Sequence, residues 1–275
     1  VIPVLEWKLG FSCIGETHLA RLTPVVRAVN EAANRTMSEN EPFVGGYAFA
    51  HKAGTHIDGV RKSPRAFEHM DPAVVGNRRN FVVSSQSGRA ALLGRMREYL
   101  SPAEADRLTK NSPELLELWD LLRERKSLGY DYEDAEASLA LLIAQTLGRR
   151  RRFFELRSFK VIVDEDGGRA YNDRWQTDEM KATAAIKIAV GGTEELTAGE
   201  GNGPVNAMDV ALRRALTRFY PEIAHLRLSD YRVRVLDAGA TASVVRVRIE
   251  STDGVGIWRT VGVSPDIITA SWQAL

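Results

Sequence analysis

The chain has 275 residues, 44% of them hydrophobic and 27% charged, with 37 Lys and Arg against 36 Asp and Glu. A chain of this size can bury one large core or two to three smaller ones, and its near-neutral balance excludes the strong positive field of a nucleic-acid or membrane-surface protein. Cys13 is the single cysteine, so an intrachain disulfide is excluded and a reducing cytoplasm is the expected compartment; no run approaches the roughly 20 apolar residues of a membrane helix.

In chain order the first two-thirds is helical in period. Thr23-Pro24 predicts a helix with Thr as N-cap and Pro at the first helical position, Val26, Val29, Ala32 and Ala33 on one face, and an end near Met37 to Asn40. Residues 41–79 are irregular and rich in Gly, Pro and His, a composition of site-building loops. Three helical patterns follow: Arg89 to Leu100, Ser112 to Lys126, and Tyr132 to Leu147 with Leu139, Leu142, Ile143 and Leu147 on one side. The run Arg149 to Arg152 then reads as a solvated linker, with an anion or nucleic-acid patch as the alternative.

Beyond the arginines the period becomes two. Phe159 to Val163, Ala184 to Val190 and a short stretch at Glu194 to Thr197 read as strands, and Gly199-Glu200-Gly201-Asn202-Gly203-Pro204 opens a helix with the stripe Met208, Ala211, Leu212, Ala215, Leu216 and Phe219. The order then recurs. Leu228 to Leu236, Ser243 to Glu250 and Ile257 to Val263 alternate, and Ser264-Pro265 opens a last helix with Ile268, Ser271, Trp272 and Leu275 on one face. Three strands and a helix, twice, with Pro204 and Pro265 61 positions apart, is an internal repeat. The expected class is therefore mixed: an α-helical region followed by an α+β domain of two pseudo-symmetric βββα units.

Two features could carry chemistry. His51 and His56 lie five residues apart, which sets their rings about 140° apart on a regular helix and disfavours a shared metal; catalysis or substrate binding by one of them competes with helix capping. The Gly201-Asn202-Gly203-Pro204 loop exposes backbone N–H groups before a helix, but it lacks the Gly-Lys-Ser/Thr ending of a P-loop, and a tight strand-to-helix turn is the simpler reading.

The residues Phe43-Val44-Gly45 and Ala48 through Gly59, with Ala48-Phe49-Ala50-His51-Lys52-Ala53-Gly54-Thr55-His56-Ile57-Asp58-Gly59 as their centre, resemble the signature that follows the barrel in the 2-isopropylmalate synthase family. Asp71 to Asn77 and Ser85 to Ala90 resemble its next two blocks, Leu128 to Ser138 is similar to its citramalate synthase branch, and Gly201 to Ala207 with Asp230-Tyr231-Arg232-Val233 resembles its regulatory, dimer-forming domain. The resemblance implies an acyltransferase that condenses acetyl-CoA with a 2-oxo acid on a divalent metal held by a barrel. It implies a homodimer with a branched-chain amino acid as effector, isoleucine in the citramalate branch or leucine in the other. Neither nucleic acid nor membrane is an expected partner.

On that resemblance residues 1–40 are the last helices of an otherwise absent barrel, 41–108 an accessory subdomain with the histidine motif, 109–150 a helical accessory subdomain, and 151–275 the regulatory domain, truncated at its end. His56 is the histidine that acts on the partner subunit's barrel. The effector is expected at Val205, Asn206, Leu228, Tyr231, Val235 and Pro265. The barrel's metal ligands have no counterpart, so no metal or other cofactor is expected in this chain, and the piece alone is expected to be inactive; the start at Val1 and the stop within an amphipathic pattern read as an excised piece. Where some members carry a tyrosine after the histidine block this chain has Phe67, which has no hydroxyl to position a substrate or carry a proton. A stand-alone amino-acid-binding or dimerisation module is the alternative from another class.

Overall fold

The computed structural model describes the chain except residues 34, 36, 53, 82–87, 165–180, 237–242 and 255. Part of the Ser85 to Ala90 block therefore lies outside the described residues. The chain divides into two compact units, Val1–Trp119 and Asp120–Leu275.

The first unit contains helices α1 (Glu16–Leu19), α2 (Leu22–Ala32), α3 (Gly54–Lys62), α4 (Arg89–Arg97) and α5 (Pro102–Arg107) and the start of α6 (Pro113–Ser127). Strands β1 (Ala50–His51) and β2 (Asn80–Phe81) form a short parallel pair. Leu19, Phe49, Met70 and Val75 make one buried cluster, and Leu92, Met96, Leu115 and Leu118 are buried on α4 and α6. Helix α2 departs from the sequence reading at both ends. Thr23 is not its N-cap: the helix already begins at Leu22, and the buried Thr23 hydroxyl donates to the Val75 carbonyl at 2.7 Å. It closes at Ala32 rather than near Met37 to Asn40, and most of its expected apolar face is uncovered: Val29 is 61% exposed and Ala32 and Ala33 are exposed with it, while Val26 is half-buried.

The second unit contains the rest of α6, helix α7 (Glu136–Thr146) and two copies of three strands and a helix: β3 (Glu155–Asp164), β4 (Lys181–Val190), β5 (Thr193–Gly201) and α8 (Pro204–Thr217), then β6 (Arg227–Val235), β7 (Val245–Thr252), β8 (Ile257–Ser264) and α9 (Ile267–Ala274). Both sheets are antiparallel, in the orders β3-β4-β5 and β6-β7-β8. Each first strand carries one irregularity at the same place, between Leu156 and Ser158 and between Leu228 and Asp230. The extra residue restores phase: Leu156 and Phe159, like Leu228 and Tyr231, share the helix-covered face although they stand three apart.

The repeat is closer than the prolines imply, and its offset is 63 positions rather than 61. Thr197 and Thr260 each donate a hydroxyl to a carbonyl on the covering helix, Ala211 at 2.7 Å and Ala274 respectively. Gly199 and Gly262 follow two residues later. A Cβ on Gly199 would lie 2.8 Å from the Ala207 carbonyl oxygen, and one on Gly262 would lie 2.0 Å from that of Ala270. Gly199 and Gly201 are thus strand residues, placed where a helix backbone presses on the sheet, and β5 runs on to Gly201 instead of ending near Thr197. Ser264-Pro265 likewise precedes the last helix without opening it: Asp266 is the N-cap, its carboxylate accepting from the Ile268 and Thr269 amides at 3.1 and 3.0 Å.

Helix α8 lies over β4 and β5, burying Ala207, Met208, Ala211, Leu212, Ala215 and Leu216 against Ala182, Ala184, Ile186 and Ile188. Each large aliphatic side chain in such a core contributes about 1.5–3 kcal/mol. Helix α9 serves both layers. Ala270 and Ala274 meet Val247 and Ile249 of its own sheet, while Ile268, Trp272 and Leu275 pack on the first core, where Trp272 stacks on Phe159 with ring centroids 5.4 Å apart.

Gly262→Ala should lower the stability of the second unit by about 1–3 kcal/mol, since the methyl group can be housed only by lifting α9 off β8. Gly256→Ala, whose new Cβ would have its nearest neighbours at 3.8 Å, should stay within about 0.5 kcal/mol of the parent. Calorimetric unfolding of the two variants beside the parent chain measures the difference.

Candidate functional site

His56 stands in the first turn of α3, exposed, on a helix anchored by Ile57 and Val60, which are 3% and 1% exposed. Its ring meets that of Phe67 at 5.6 Å, and the same Phe67 ring fills the space above Gly59, where a Cβ would lie 2.4 Å away. Phe67 is therefore a side wall for His56.

Next along the chain, Glu68 ends the freedom of this loop. Its carboxylate takes both Nε and Nη2 of Arg79 at 2.6 Å and lies 3.0 Å from His51 Nε2. The side chain is 4% exposed. The Arg79 hydrogen bonds, working against burial and helped by His51, hold the Glu68 carboxyl below its usual range, and the same bonds raise Arg79. His51 ends β1 and Arg79 immediately precedes β2, so Glu68 ties the loop that carries Phe67 to the strand pair at both of its ends. His51 thus belongs to an ion-pair network, and α3 alone carries His56. Sequence spacing gave no sign of Glu68 and Arg79, which lie 17 and 28 positions from His51 and meet only through the fold.

Phe43 has φ +68°, a left-handed conformation that costs a bulky residue. Asn77 holds it there by donating to the carbonyls of Phe43 and Gly45 at 3.0 Å each, and the Phe43 and Phe49 rings enclose His69. Among the described residues no three His, Cys, Asp or Glu side chains converge as metal ligands.

In the second unit the expected effector residues divide. Leu228 and Tyr231 pack together in the second core with Val247, Ile249, Ala270 and Ala274. The Tyr231 hydroxyl lies 2.8 Å from Ser271 Oγ, which in turn donates to the Ile267 carbonyl at 2.6 Å. Ser271 is fully buried, a polar side chain in the interior stripe of α9 that was not singled out as a site residue. Val205 packs against the first core at the start of α8, and the exposed Asn206 is occupied locally, its Oδ1 accepting from the Asn202 amide at 3.2 Å and filling the space over Gly201. The glycine loop is therefore a turn closed by its own asparagine. Val235 is 55% exposed near the end of β6, and Pro265 is exposed before α9; neither joins the Leu228–Tyr231 cluster.

The outer face of the second sheet is covered from within the same unit. Arg246 Nε donates to the Gly129 carbonyl at 2.6 Å and Arg248 pairs with Asp134 at 2.5 Å, while Val261 and Val263 pack on Ala135, Tyr130 and Tyr132. Burial pushes the Tyr132 hydroxyl up to about 12. These contacts are why the second unit begins at Asp120, well before the arginine run.

Comparison with known proteins gives this arrangement its context. Residues 133–275 match the model of the LeuA allosteric (dimerisation) domain, and residues 43–120 that of the homocitrate synthase post-HMGL domain-like family. The chain belongs to the LeuA allosteric domain family. It is 41% identical over 276 residues to the (R)-citramalate synthase of Geobacter sulfurreducens, covering all of this chain and 50% of that protein, and the figures are the same for that of Aquifex aeolicus. A 2-isopropylmalate synthase of Shewanella frigidimarina is 30% identical over 249 residues, 90% of this chain and 42% of that protein. The chain spans about half the length of the curated relatives it matches, and the matched half is their C-terminal region. No described helix is long and apolar enough to cross a membrane.

The Glu68 network sets a pH dependence. A carboxyl whose folded pKa is lowered contributes stability that is present above its unfolded value and is lost as the pH falls through the folded one. Glu68→Gln should cost about 1.5–3 kcal/mol at pH 7 by weakening hydrogen bonds to charged groups. Denaturant unfolding at pH 7 and in acid should show the gap between parent and variant narrowing on acidification.

Proposed function

We propose that this chain is the accessory and regulatory part of an (R)-citramalate synthase, a homodimer that joins acetyl-CoA to pyruvate and serves isoleucine synthesis. The observation that carries the reading is the likeness along the whole chain to proteins named (R)-citramalate synthase, at 41% identity against 30% for the 2-isopropylmalate synthase. The exposed apolar side chains of the first unit, Trp7, Phe11, Val25 and Val29, fit a surface that the rest of a longer polypeptide covers.

In this reading the barrel binds the 2-oxo acid and supplies the metal that polarises its carbonyl. This chain's own residues have a different part. His56 presents an exposed imidazole from a helix anchored at Ile57 and Val60, with Phe67 limiting its rotation, and acts in proton transfer at the partner subunit's barrel. In the full-length synthase His56→Ala should lower turnover by about 10² to 10⁴ with folding preserved, the usual contribution of a positioned acid–base group. His51→Ala should cost less turnover and more stability, because His51 is tied to Glu68. Steady-state kinetics with pyruvate and with 2-oxoisovalerate test both the residue and the substrate; equal activity of the two variants would remove His56 from the reaction.

The repeat from Glu155 to Leu275 binds the feedback effector, isoleucine, beside α9. Val205, Leu228 and Tyr231 offer apolar surface of about 1.5–3 kcal/mol to an aliphatic side chain, and the start of α8, with Asn206, favours its carboxylate. Val235 and Pro265 lie at the surface outside the Leu228–Tyr231 cluster and are not part of this site. Titration calorimetry of the chain should give heat with isoleucine and weaker heat with leucine, which is branched elsewhere, and with valine, whose missing methylene changes the fit by only about 1–3 kcal/mol. Absence of heat and of thermal shift with all three at millimolar concentration would leave a dimerisation module.

A further inference from the structure

The segment Leu128 to Ser138 is one of the stretches by which the sequence resembles its family, yet neither the histidine site nor the effector residues use it. It is built into the second unit by bonds of several kinds. Gly129, at φ +101°, lets the chain pass so close that a Cβ would lie 2.3 Å from Leu236 Cδ1. Arg246 and Arg248 reach from the outer face of β7 to Gly129, Asp131 and Asp134, and the Val261 amide on the free edge of β8 donates to Ser138 Oγ at 3.0 Å.

The same segment touches α9. Tyr130 donates its hydroxyl to Gln273 Oε1 at 2.9 Å, and that same oxygen accepts from the Val263 amide at 2.9 Å. Three consecutive residues of α9 therefore reach three different elements: Ser271 meets Tyr231 of β6, Trp272 stacks on Phe159 of β3, and Gln273 holds Tyr130 and β8. A shift of α9 cannot be absorbed at one of these contacts without loading the others, since its backbone is already pressed on Gly262.

We infer that α9 and the 129–138 segment form a relay, in which Tyr130 and the Asp134–Arg248 pair carry the state of the Tyr231 side of α9 to the part of the chain that precedes α7. The inference rests on the effector reading given above. It differs from that reading in assigning the transmission, rather than the binding, to named residues. An equilibrium is shifted only by a difference in contacts between two states; the Tyr130–Gln273 bond couples α9 itself to the preceding chain, and the Asp134–Arg248 pair holds the same segment on β7, the sheet strand that α9 covers.

The test uses the full-length synthase with L-isoleucine as the probe, in the parent and in Tyr130→Phe, Asp134→Arg and the exchanged pair Asp134→Arg/Arg248→Asp. Calorimetry reads binding, turnover at saturating isoleucine reads inhibition, and a thermal melt reads folding. Tyr130→Phe and Asp134→Arg should bind isoleucine within about twofold of the parent while residual activity at saturation rises about fivefold or more, the lower end of ordinary coupling strengths. The exchanged pair should recover inhibition. Unchanged inhibition in Tyr130→Phe and Asp134→Arg, or inhibition lost only in proportion to binding, would overturn the relay; Tyr130→Phe, which removes a single hydroxyl, decides the matter if the charge reversal fails to fold. A parent enzyme that neither binds nor responds to isoleucine, leucine or valine would instead overturn the effector reading, and the relay with it.

Discussion

The second unit depends on helix backbone lying directly against strand backbone. At Gly199 and Gly262 no side chain separates the layers, and at Thr197 and Thr260 a hydroxyl spans from each strand to a helix carbonyl, Ala211 inside α8 and Ala274 at the end of α9. A carbonyl has two lone pairs, so at Ala211 the second bond costs the helix little. Small residues complete the fit: Ala207, Ala211, Ala270 and Ala274 are buried to within 2% of full enclosure. Close approach of this kind fixes the height and rotation of each helix more tightly than large interdigitating side chains would, because there is no rotamer to adjust.

With the helices held, the two repeats differ in ways that acquire meaning. Phe159 and Tyr231 occupy matching positions after matching irregularities, and the helix positions 63 apart that lie above the sheets are Met208 and Ser271. The first repeat is thus apolar where the second has a tyrosine and a buried serine bonded to each other. Ser271 also returns a bond to the Ile267 carbonyl, which satisfies the hydroxyl inside the core.

In the first unit the organising group is Glu68, an almost fully enclosed carboxylate among loops rather than regular elements. It joins both short strands and, through its neighbour Phe67, bears on the helix that carries His56. Short loops without a wide sheet have few backbone hydrogen bonds to orient them, and a charged three-way contact supplies direction that apolar packing lacks. Asn77 has the same part at Phe43, where two amide bonds support a backbone conformation that the residue would not adopt alone.

The sequence by itself determined the class of the long helices, the class of the strands of the second unit and the existence of the repeat, because alternation at period two and stripes at period 3.6 are local consequences of strand and helix geometry. The short elements β1, β2, α1 and α5 have too few residues to show a period, and α3 lies within residues 41–79, which read as irregular. Six strands of the second unit and its two covering helices were legible on that ground, as was the family on its ordered blocks. Contacts between distant positions were not legible. Gly199 and Gly201 read as a loop because a glycine in a strand is explained only by the helix that lies on it, and Thr23 read as a cap because the Val75 carbonyl is 52 positions away. Of the residues expected at the effector site, Leu228 and Tyr231 come together, whereas Val235 and Pro265 remain at the surface, since strand phase says which face a residue occupies and not how far a covering helix extends. The Glu68 network, the Tyr231–Ser271 pair and the clamp of Arg246 and Arg248 on residues 129–134 were decided by tertiary structure alone. Each joins groups whose separation along the chain carries no period, and only folding brings such groups within the few ångströms over which a hydrogen bond acts.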